Sequence, residues 1–210
     1  MLFRFKIPLD LRHAVLAAEN RNFYSEHAIS PTGIIRALFN MARGGSVQGG
    51  STITQQYAKT AFLTPDQTIK RKIRELIIAI KLENVMTKDE ILENYLNTIY
   101  FGRGAYGVET ASQLYFGKSV RDLSLRQSAV LASVLRSPGY YDPGLREGNA
   151  ERLAARYRYT IRGMVSAGWG DKKLLSNLEM PKVLPRSKTG ILAGPDRKST
   201  RLNSSHLGIS

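Results

Sequence analysis

The sequence predicts an all-α domain, and three observations carry this prediction. Apolar residues recur every three or four positions over most of the chain, which is the spacing of one helix face. Helix-start signals precede several of these runs, among them capping boxes at Thr87 and Ser124. No segment shows a convincing alternation of apolar and polar residues, the pattern of a half-buried strand. An apolar share of 42% over 210 residues is sufficient for a buried core.

The predicted helices are separated by short polar or glycine-containing breaks. They lie at residues 10–19, 31–43, 51–62, 67–85, 129–135 and 149–165, with one more after the capping box at Thr87. Ser30-Pro31 is a good start for the second helix, because an N-cap serine is followed by proline at the first helical position. Residues 67–85 are apolar nearly all round, which predicts a helix buried in the core. Residues 102–107 are predicted to be a glycine-rich loop.

Composition restricts the classes of function. The net charge of +14 at pH 7 favours polyanionic partners, such as nucleic acid, anionic lipid headgroups or phosphorylated substrates. The absence of cysteine excludes a disulfide framework and a cysteine-based metal site. No apolar run is long enough to cross a bilayer, and neither end has the residue order of a signal peptide.

Residues 196–210 have a composition foreign to the rest of the chain. They show no apolar period, and residues 196–206 match the translation of a common sequencing adapter. We expect this segment not to be native, so it is left out of the fold prediction. We also expect the natural protein to continue beyond Pro195. Because Met1 is an abrupt start, we expect this sequence to be a piece of the natural protein that is cut at both ends.

Two carboxylates lie in apolar helical segments and are candidates for chemistry. Glu19 closes the first predicted helix beside a polar loop, where a carboxylate is well placed as a general base. The alternative for Glu19 is a solvent-exposed residue of the last turn. Glu75 follows Arg71 by one turn, and an ordinary surface ion pair is the alternative there. The apolar neighbours of Glu75 favour partial burial, and buried charges rarely lack a partner or a role.

A polar strip and a group of cations lie between and beside these carboxylates. Residues 48–56, QGGSTITQQ, make a poor core segment and a good surface for gripping a sugar or a phosphate. Lys59 and the four cations within residues 70–74 suit the oxygens of a diphosphate. Together these groups predict sugar chemistry on a phosphorylated donor, although spacing alone does not show that they converge.

Five motifs in order resemble the glycosyltransferase domain of class A penicillin-binding proteins and monofunctional peptidoglycan transglycosylases. The motifs are ENRNFY at 19–24, GGSTITQQ at 49–56 with Lys59 behind it, RKIRE at 71–75, ILENYLN at 91–97 with YFG at 100–102, and the helix that leads from Ser124 to Ser137-Pro138. They cover roughly residues 8–170. Four positions depart from the family's usual Asp, His, Gly and Glu, namely Asn20, Glu26, Ala28 and Gln127.

The resemblance implies a lysozyme-like, all-α fold and polymerisation of lipid II into β-1,4-linked glycan strands. Glu19 would be the base that deprotonates the acceptor sugar hydroxyl, which attacks the anomeric carbon with inversion and release of undecaprenyl diphosphate. Glu75 would help to stabilise the departing diphosphate, with a divalent cation, Mg²⁺ or Mn²⁺, as an expected partner and no organic cofactor. The implied substrate-binding residues are Ser51, Thr52, Gln55, Gln56, Lys59, Arg71, Lys72 and Asn97.

The resemblance also implies domain bounds and a location. It places a peptidoglycan glycosyltransferase domain at residues 1–170 and a C-terminal helix and linker at 171–195. The implied location is the outer face of the bacterial cytoplasmic membrane. The implied partners are lipid II, the growing glycan strand, the membrane surface and cell-wall synthesis proteins, and no nucleic acid. Class A members carry a transpeptidase domain after a linker and monofunctional members do not, and this sequence is compatible with both.

Membrane contact in the family lies between the first two motifs. In this chain that segment offers an apolar helix with flanking arginines, which suits an interfacial helix. The implied membrane-contacting residues are Ile34, Ile35, Leu38 and Phe39. A core-facing helix stays open as the alternative interpretation of this segment.

Other functions remain open on the residues alone. A lysozyme-like hydrolase would use two carboxylates to cut glycan, but it needs no cations for a diphosphate. A basic helical nucleic-acid-binding domain would bind DNA or RNA with a steep salt dependence. A third alternative is a fragment that is inactive because an anchor or a partner domain is missing.

Overall fold

A computed structural model describes residues 7–26, 51–63 and 68–186 of the chain. Within these ranges the chain is mainly helical, so the all-α prediction is confirmed. The α-helices are α1 (Leu9–Glu19), α2 (Ile53–Phe62), α3 (Ile69–Val85), α4 (Lys88–Thr98), α5 (Val108–Phe116), α6 (Leu125–Leu135), α7 (Pro138–Tyr141) and α8 (Asn149–Ser166). Two 3-10 helices lie at Val120–Asp122 and Lys172–Leu175.

Side-chain caps fix where several of these helices begin. The hydroxyl of Thr52 accepts a hydrogen bond from the backbone N–H three residues on, and Thr68 does the same before α3. Both predicted capping boxes are present, at Thr87 before α4 and at Ser124 before α6. The cap of α2 accepts from the Gln55 N–H, and the cap of α3 accepts from the Arg71 N–H.

The core is built around α6, in which every residue from 128 to 135 is buried. α1 and α8 both pack against α6 and against each other, whereas α2 packs against α3 and α4. Leu11, Leu131 and Tyr157 are among the largest fully buried side chains of this core. Full burial of a leucine side chain contributes about 1.5–3 kcal/mol. The same packing holds the C-terminal end of α1, and therefore Glu19, in a fixed position.

α3 is not the core helix that the sequence predicts. Leu76, Ala79 and Leu82 are buried, but Ile69 is 59% exposed and Ile77 is 47% exposed. α3 packs against α2 and α4, and its other side is left uncovered by the described residues. The prediction was wrong because a count of apolar positions does not show which side of a helix finds a partner.

Residues 100–106 form an antiparallel hairpin that overlaps the loop predicted at residues 102–107. Strand β1 (Tyr100–Gly102) pairs with strand β2 (Ala105–Tyr106). Strands of three and two residues are too short to show an alternating pattern, so the loop prediction was wrong. The turn has positive φ at three successive positions, including Arg103 at 55° between two glycines. α5 was not predicted from the sequence, because it begins after Gly107 without a side-chain cap.

The described C-terminal segment packs back onto the domain. The predicted C-terminal helix is a short 3-10 helix, and residues 177–186 have no regular secondary structure. Leu184 N–H donates to the Tyr115 carbonyl at 2.9 Å. Arg186 Nη1 lies 3.4 Å from Asp142 Oδ2. The domain bounds at residues 170 and 195 stay predictions.

Three parts of the sequence prediction fall outside the described residues. These are the second predicted helix, which contains Ile34, Ile35, Leu38 and Phe39, residues 48–50 of the polar strip, and the segment 196–210. Among the helices that the structure does describe, none combines the length and the apolar character needed to span a bilayer.

Candidate active site

Glu19 lies at the C-terminal end of α1 with both carboxylate oxygens engaged. Its side chain is only 3% exposed. Gln56 Nε2 donates to Glu19 Oε2 at 3.2 Å, and Arg156 Nη2 donates to Glu19 Oε1 at 3.3 Å. A buried carboxylate with hydrogen bonds on both oxygens has a fixed orientation. The exposed alternative that the sequence left open for Glu19 is therefore wrong.

The amide of Gln56 is oriented by a third residue. Tyr95 Oη donates to Gln56 Oε1 at 2.8 Å, so the NH₂ group of the same amide points to Glu19. Gln56 Nε2 also donates to the Ser51 carbonyl at 3.1 Å. Burial, and then the nearby charge of Glu19, raise the pKa of Tyr95 well above its usual value. The tyrosine therefore stays a neutral donor, and Gln56 stays an amide donor to Glu19.

Glu75 forms a second acidic centre, one that is surrounded by cations. The residue is 2% exposed and forms an ion pair with Lys72 through Oε1. Arg71 Nη1 lies 3.7 Å from Glu75 Oε2, too far for a hydrogen bond. Arg71 Nε and Nη1 are buried, and no described residue accepts a hydrogen bond from them. Two cations and one carboxylate leave this centre with a net positive charge and spare N–H donors.

Lys72 connects the second centre to the polar strip. Its Nζ donates to Ser51 Oγ at 3.0 Å and to Gln55 Oε1 at 3.3 Å. Gln55 and Gln56 are adjacent in the first turn of α2, yet one contacts Lys72 and the other contacts Glu19. The adjacent amides therefore link the two acidic centres, so residues 51, 55 and 56 of the polar strip lie together with the two carboxylates.

Three predicted binding residues lie outside these contacts. The hydroxyl of Thr52 caps α2, so its observed partner is the backbone. Lys59 is exposed on the last turn of α2. Asn97 is half-buried near the end of α4. Its backbone carbonyl oxygen lies so close to Gly107 that any Cβ at that position would be only 2.5 Å away. Their roles toward a substrate stay predictions.

Sequence reasoning missed Arg156 and Tyr95 as site residues. Arg156 lies on α8, donates through Nη2 to the Ala18 carbonyl at 2.6 Å, and places its guanidinium 4.5 Å from the centre of the Tyr159 ring. Nothing local distinguishes Arg156 from the other arginines of its helix. Tyr95 belongs to one of the quoted motifs, but its apolar neighbours indicate a core residue. Only the fold brings both side chains to Glu19 and Gln56.

Two departures from the family pattern contact each other. Asn20 Nδ2 donates to Glu26 Oε2 at 3.2 Å. Asn20 Oδ1 accepts from the Ile53 backbone N–H at 3.4 Å. The Asn20 amide thus joins the loop after Glu19 to the first turn of α2, with its donor on one side and its acceptor on the other. Ala28 lies outside the described residues, and Gln127 completes the capping box of α6.

The neighbours of Glu75 do not fit a divalent cation held by protein groups alone. Its oxygens face Lys72 and Arg71, which would repel a metal ion. No group of three or more His, Cys, Asp and Glu residues placed to hold one ion occurs within residues 7–26, 51–63 and 68–186. The expected Mg²⁺ or Mn²⁺ therefore stays a prediction, and no step of the reaction below depends on it.

Curated relatives share this region of sequence. The chain is 47% identical over 163 residues to penicillin-binding protein 1F of Bacillus subtilis, covering 77% of this chain and 22% of the relative. It is 41% identical over 198 residues to penicillin-binding protein 1A of Mycobacterium tuberculosis, covering 92% of this chain and 23% of the relative. With penicillin-binding protein 1A of Escherichia coli it shares 42% identity over 165 residues, 78% of this chain and 19% of the relative. The chain thus spans about a fifth of the length of these relatives.

The sequence profile described as transglycosylase matches residues 4–165. That match includes the buried carboxylates Glu19 and Glu75 and the polar strip between them. Because it covers most of the chain, and because the relatives align over the same part, the chain belongs to the transglycosylase family.

Proposed function

We propose that this chain is a peptidoglycan glycosyltransferase domain that polymerises lipid II into β-1,4-linked glycan strands. Membership in the transglycosylase family supports the reaction type. The observation that carries the proposal is the link through Gln55 and Gln56 between a buried carboxylate and a cation-rich centre. One end of this link is suited to take a proton, and the other is suited to hold phosphate oxygens.

Glu19 acts as the general base in this proposal. Its carboxylate takes the proton of the acceptor sugar 4-hydroxyl as that oxygen forms a bond to the anomeric carbon of the donor. The bond between the anomeric carbon and the diphosphate oxygen breaks on the opposite face, so configuration inverts. The electron pair leaves on undecaprenyl diphosphate. Gln56 and Arg156 hold the carboxylate, which lowers the entropic cost of reaching this geometry.

The second centre stabilises the leaving group. A diphosphate needs charge stabilisation more than protonation, and preorganised cations supply it. Lys72 is fixed by Glu75, Ser51 and Gln55, and Arg71 offers buried N–H donors that no described residue accepts. Glu75 acts here by holding Lys72 in place. Lys59, exposed on α2, is the third cation proposed to contact the phosphates.

The names of the relatives support a proposal about the parent protein and its location in the cell. All three relatives described above are penicillin-binding proteins, and each is several times longer than this chain. We infer that the domain is the N-terminal part of a bifunctional penicillin-binding protein. The donor and the growing strand carry a lipid anchor, so the site would act at the outer face of the cytoplasmic membrane, beside other cell-wall synthesis proteins.

The test asks whether the chain lengthens glycan strands or shortens them. The chain is incubated with lipid II in detergent, and in parallel with preformed glycan strands, and product lengths are measured by gel electrophoresis. The proposal predicts strands that lengthen from lipid II and preformed strands that stay intact. Shortening of the preformed strands without synthesis would instead establish a glycan hydrolase.

A further inference from the structure

The arginine that holds Glu19 has a second arginine one turn away on the same helix. Arg152 precedes Arg156 on α8 by four residues, so the two lie about 40° apart around the helix and about 6 Å apart along its axis. Arg156 donates to Glu19, whereas Arg152 is exposed. These two arginines form what we call the α8 arginine row, which extends positive charge from the base toward the N-terminus of α8.

Arg152 is held at the surface but has no counter-charge. Its Nη1 donates to Asn149 Oδ1 at 2.9 Å, and its guanidinium lies 4.6 Å from the centre of the Tyr140 ring. No described carboxylate forms an ion pair with Arg152, and its neighbour Glu151 lies about 100° away around the helix. A guanidinium group carries several N–H donors, so most of those of Arg152 remain available to an oxyanion such as phosphate.

The fold places Arg152 near the positive end of a helix dipole. It lies three residues after Asn149, the first residue of α8, and the N-cap residue Gly148 supplies no side-chain hydrogen bond to the first turn. The N-terminal turn of a helix favours an anion, and a cation there is unfavourable for the helix by itself. An anionic ligand would satisfy both the helix end and Arg152.

The proposed reaction brings two diphosphates to the site, because donor and acceptor are both lipid-linked. Lys72 and Arg71 are proposed to hold the diphosphate of the donor. Glu19 takes the proton of the acceptor hydroxyl, so the diphosphate of the acceptor lies one disaccharide away from this carboxylate. Glu19 Oε2 contacts Gln56, on the side of the donor's cations, whereas Oε1 contacts Arg156 of the α8 arginine row.

We propose that Arg152 and the N-terminal turn of α8 bind the diphosphate of the acceptor lipid II. Arg156 holds the base at one end of the α8 arginine row, and Arg152 contacts the phosphate oxygens at the other end. One helical turn plus the reach of an arginine side chain leaves room for the acceptor disaccharide between them. The assignment rests on the proposed function, and it makes α8 the helix that positions the acceptor.

The test measures a single coupling in which each substrate has one role. The donor is lipid II with its acceptor hydroxyl methylated, and the acceptor is a lipid II analogue with a methylene group in place of the anomeric oxygen, so it cannot donate. With the full chain and saturating donor, Arg152→Gln is expected to raise the KM for the acceptor about tenfold and to keep kcat within about twofold. Arg152→Lys keeps the charge but loses the planar fork, so we expect a rise of about threefold.

The matched control is Arg158→Gln. Arg158 is an exposed arginine of the same helix that lies about 120° away from Arg152, so the same loss of charge is expected to leave the KM for the acceptor unchanged. A second acceptor ends in a methyl glycoside and therefore lacks the diphosphate. With this acceptor, Arg152→Gln is expected to have the same KM as the parent chain.

Three results would overturn the acceptor site. They are an unchanged KM in Arg152→Gln, an equal rise in Arg158→Gln, and an equal rise with the acceptor that lacks the diphosphate. A third acceptor has the carboxylates of its stem peptide amidated, and the effect of Arg152→Gln is expected to persist with it. An effect that disappears there would assign Arg152 to the peptide instead. A parent chain that couples no substrates would contradict the proposed function itself.

Discussion

Gln56 donates its side-chain amide to Glu19 at 3.2 Å, and this contact joins the first turn of α2 to the last residue of α1. The contact is directional because Tyr95 occupies the carbonyl side of the same amide. A base whose carboxylate is held from a neighbouring helix keeps its position while a sugar hydroxyl approaches. Glu19, Gln56 and Tyr95, which come from three different helices, therefore act as one unit.

Removal of the Tyr95 hydroxyl is expected to slow the reaction. In Tyr95→Phe the Gln56 amide loses one of the contacts that fix its orientation, so it holds Glu19 less firmly. We expect the polymerisation rate to fall about three- to tenfold, the size of one neutral hydrogen bond. Tyr115→Phe is the control, because this buried tyrosine donates to the Phe101 carbonyl instead. Equal rates in the two variants would show that the Gln56 orientation is unimportant.

The hydrogen bond between Asn20 and Glu26 can be tested by exchanging the amide and the carboxylate between the two positions. Asn20→Asp replaces the donor to Glu26 by a second carboxylate, so like charges meet at 3.2 Å and the loop after Glu19 loses this contact, although the acceptor for the Ile53 N–H is kept. We expect a clear loss of activity in this single variant. Adding Glu26→Gln restores a donor and an acceptor, and we expect most of the activity to return. If the double variant were no better than Asn20→Asp, the contact would not position Glu19.

The ion pair between Arg103 and Asp142 is expected to matter for stability. Both side chains are almost fully buried, 3% and 1% exposed, and Arg103 Nε and Nη2 each donate to Asp142 Oδ1 at 3.0 Å. Asp142→Asn leaves a buried guanidinium without its counter-charge, so the free energy of unfolding should fall by about 3–5 kcal/mol. The exposed pair between Arg12 and Asp89 is the control, and Asp89→Asn should cost less than about 1 kcal/mol. Chemical denaturation measures both, and similar losses would contradict the ranking.

His13 predicts a pH dependence of stability. Its ring stacks on Trp169 with centroids 4.9 Å apart, and burial lowers its pKa below the usual 6.5. Below pH 6.5 the unfolded chain therefore binds a proton that the folded chain resists, so the stability contributed by neutral His13 is complete above pH 6.5 and is lost as the pH falls. Thermal unfolding of the wild type and of His13→Phe should show the variant gaining relative stability from pH 7.5 to pH 5. A difference in midpoint that does not change with pH would contradict this sign.

The sequence could predict those parts of the site that are local in the chain. Residues 51–56 of the polar strip, and likewise Glu75 and the cations before it, lie within one or two helical turns, so spacing and motif are informative. Arg156 reaches Glu19 across 137 positions, and Tyr95 reaches Gln56 across 39. No local pattern encodes such contacts, because they depend on how α1, α2, α4 and α8 pack.

The errors in the fold prediction have similar causes. α3 has enough apolar residues for a core helix, but which side finds a partner is decided by the placement of α2 and α4. The hairpin at residues 100–106 depends on a turn in which Arg103 has a positive φ. An arginine does not predict that conformation, because positive φ is uncommon for residues other than glycine. Helix starts with a polar cap, such as those at Thr87 and Ser124, were predictable because the cap bonds are local.

The most direct test of the central claim separates chemistry from binding in Glu19→Gln. Glutamine keeps the size of the side chain and one of its two acceptor oxygens, and it cannot take the proton of the acceptor hydroxyl. Polymerisation of lipid II and binding of lipid II are measured on the same preparation, with folding checked by circular dichroism. We expect the rate to fall by about 10²–10⁴-fold while binding stays within a few-fold of the wild type. A Glu19→Gln protein that polymerises lipid II at close to the wild-type rate would contradict the assignment of Glu19 as the base.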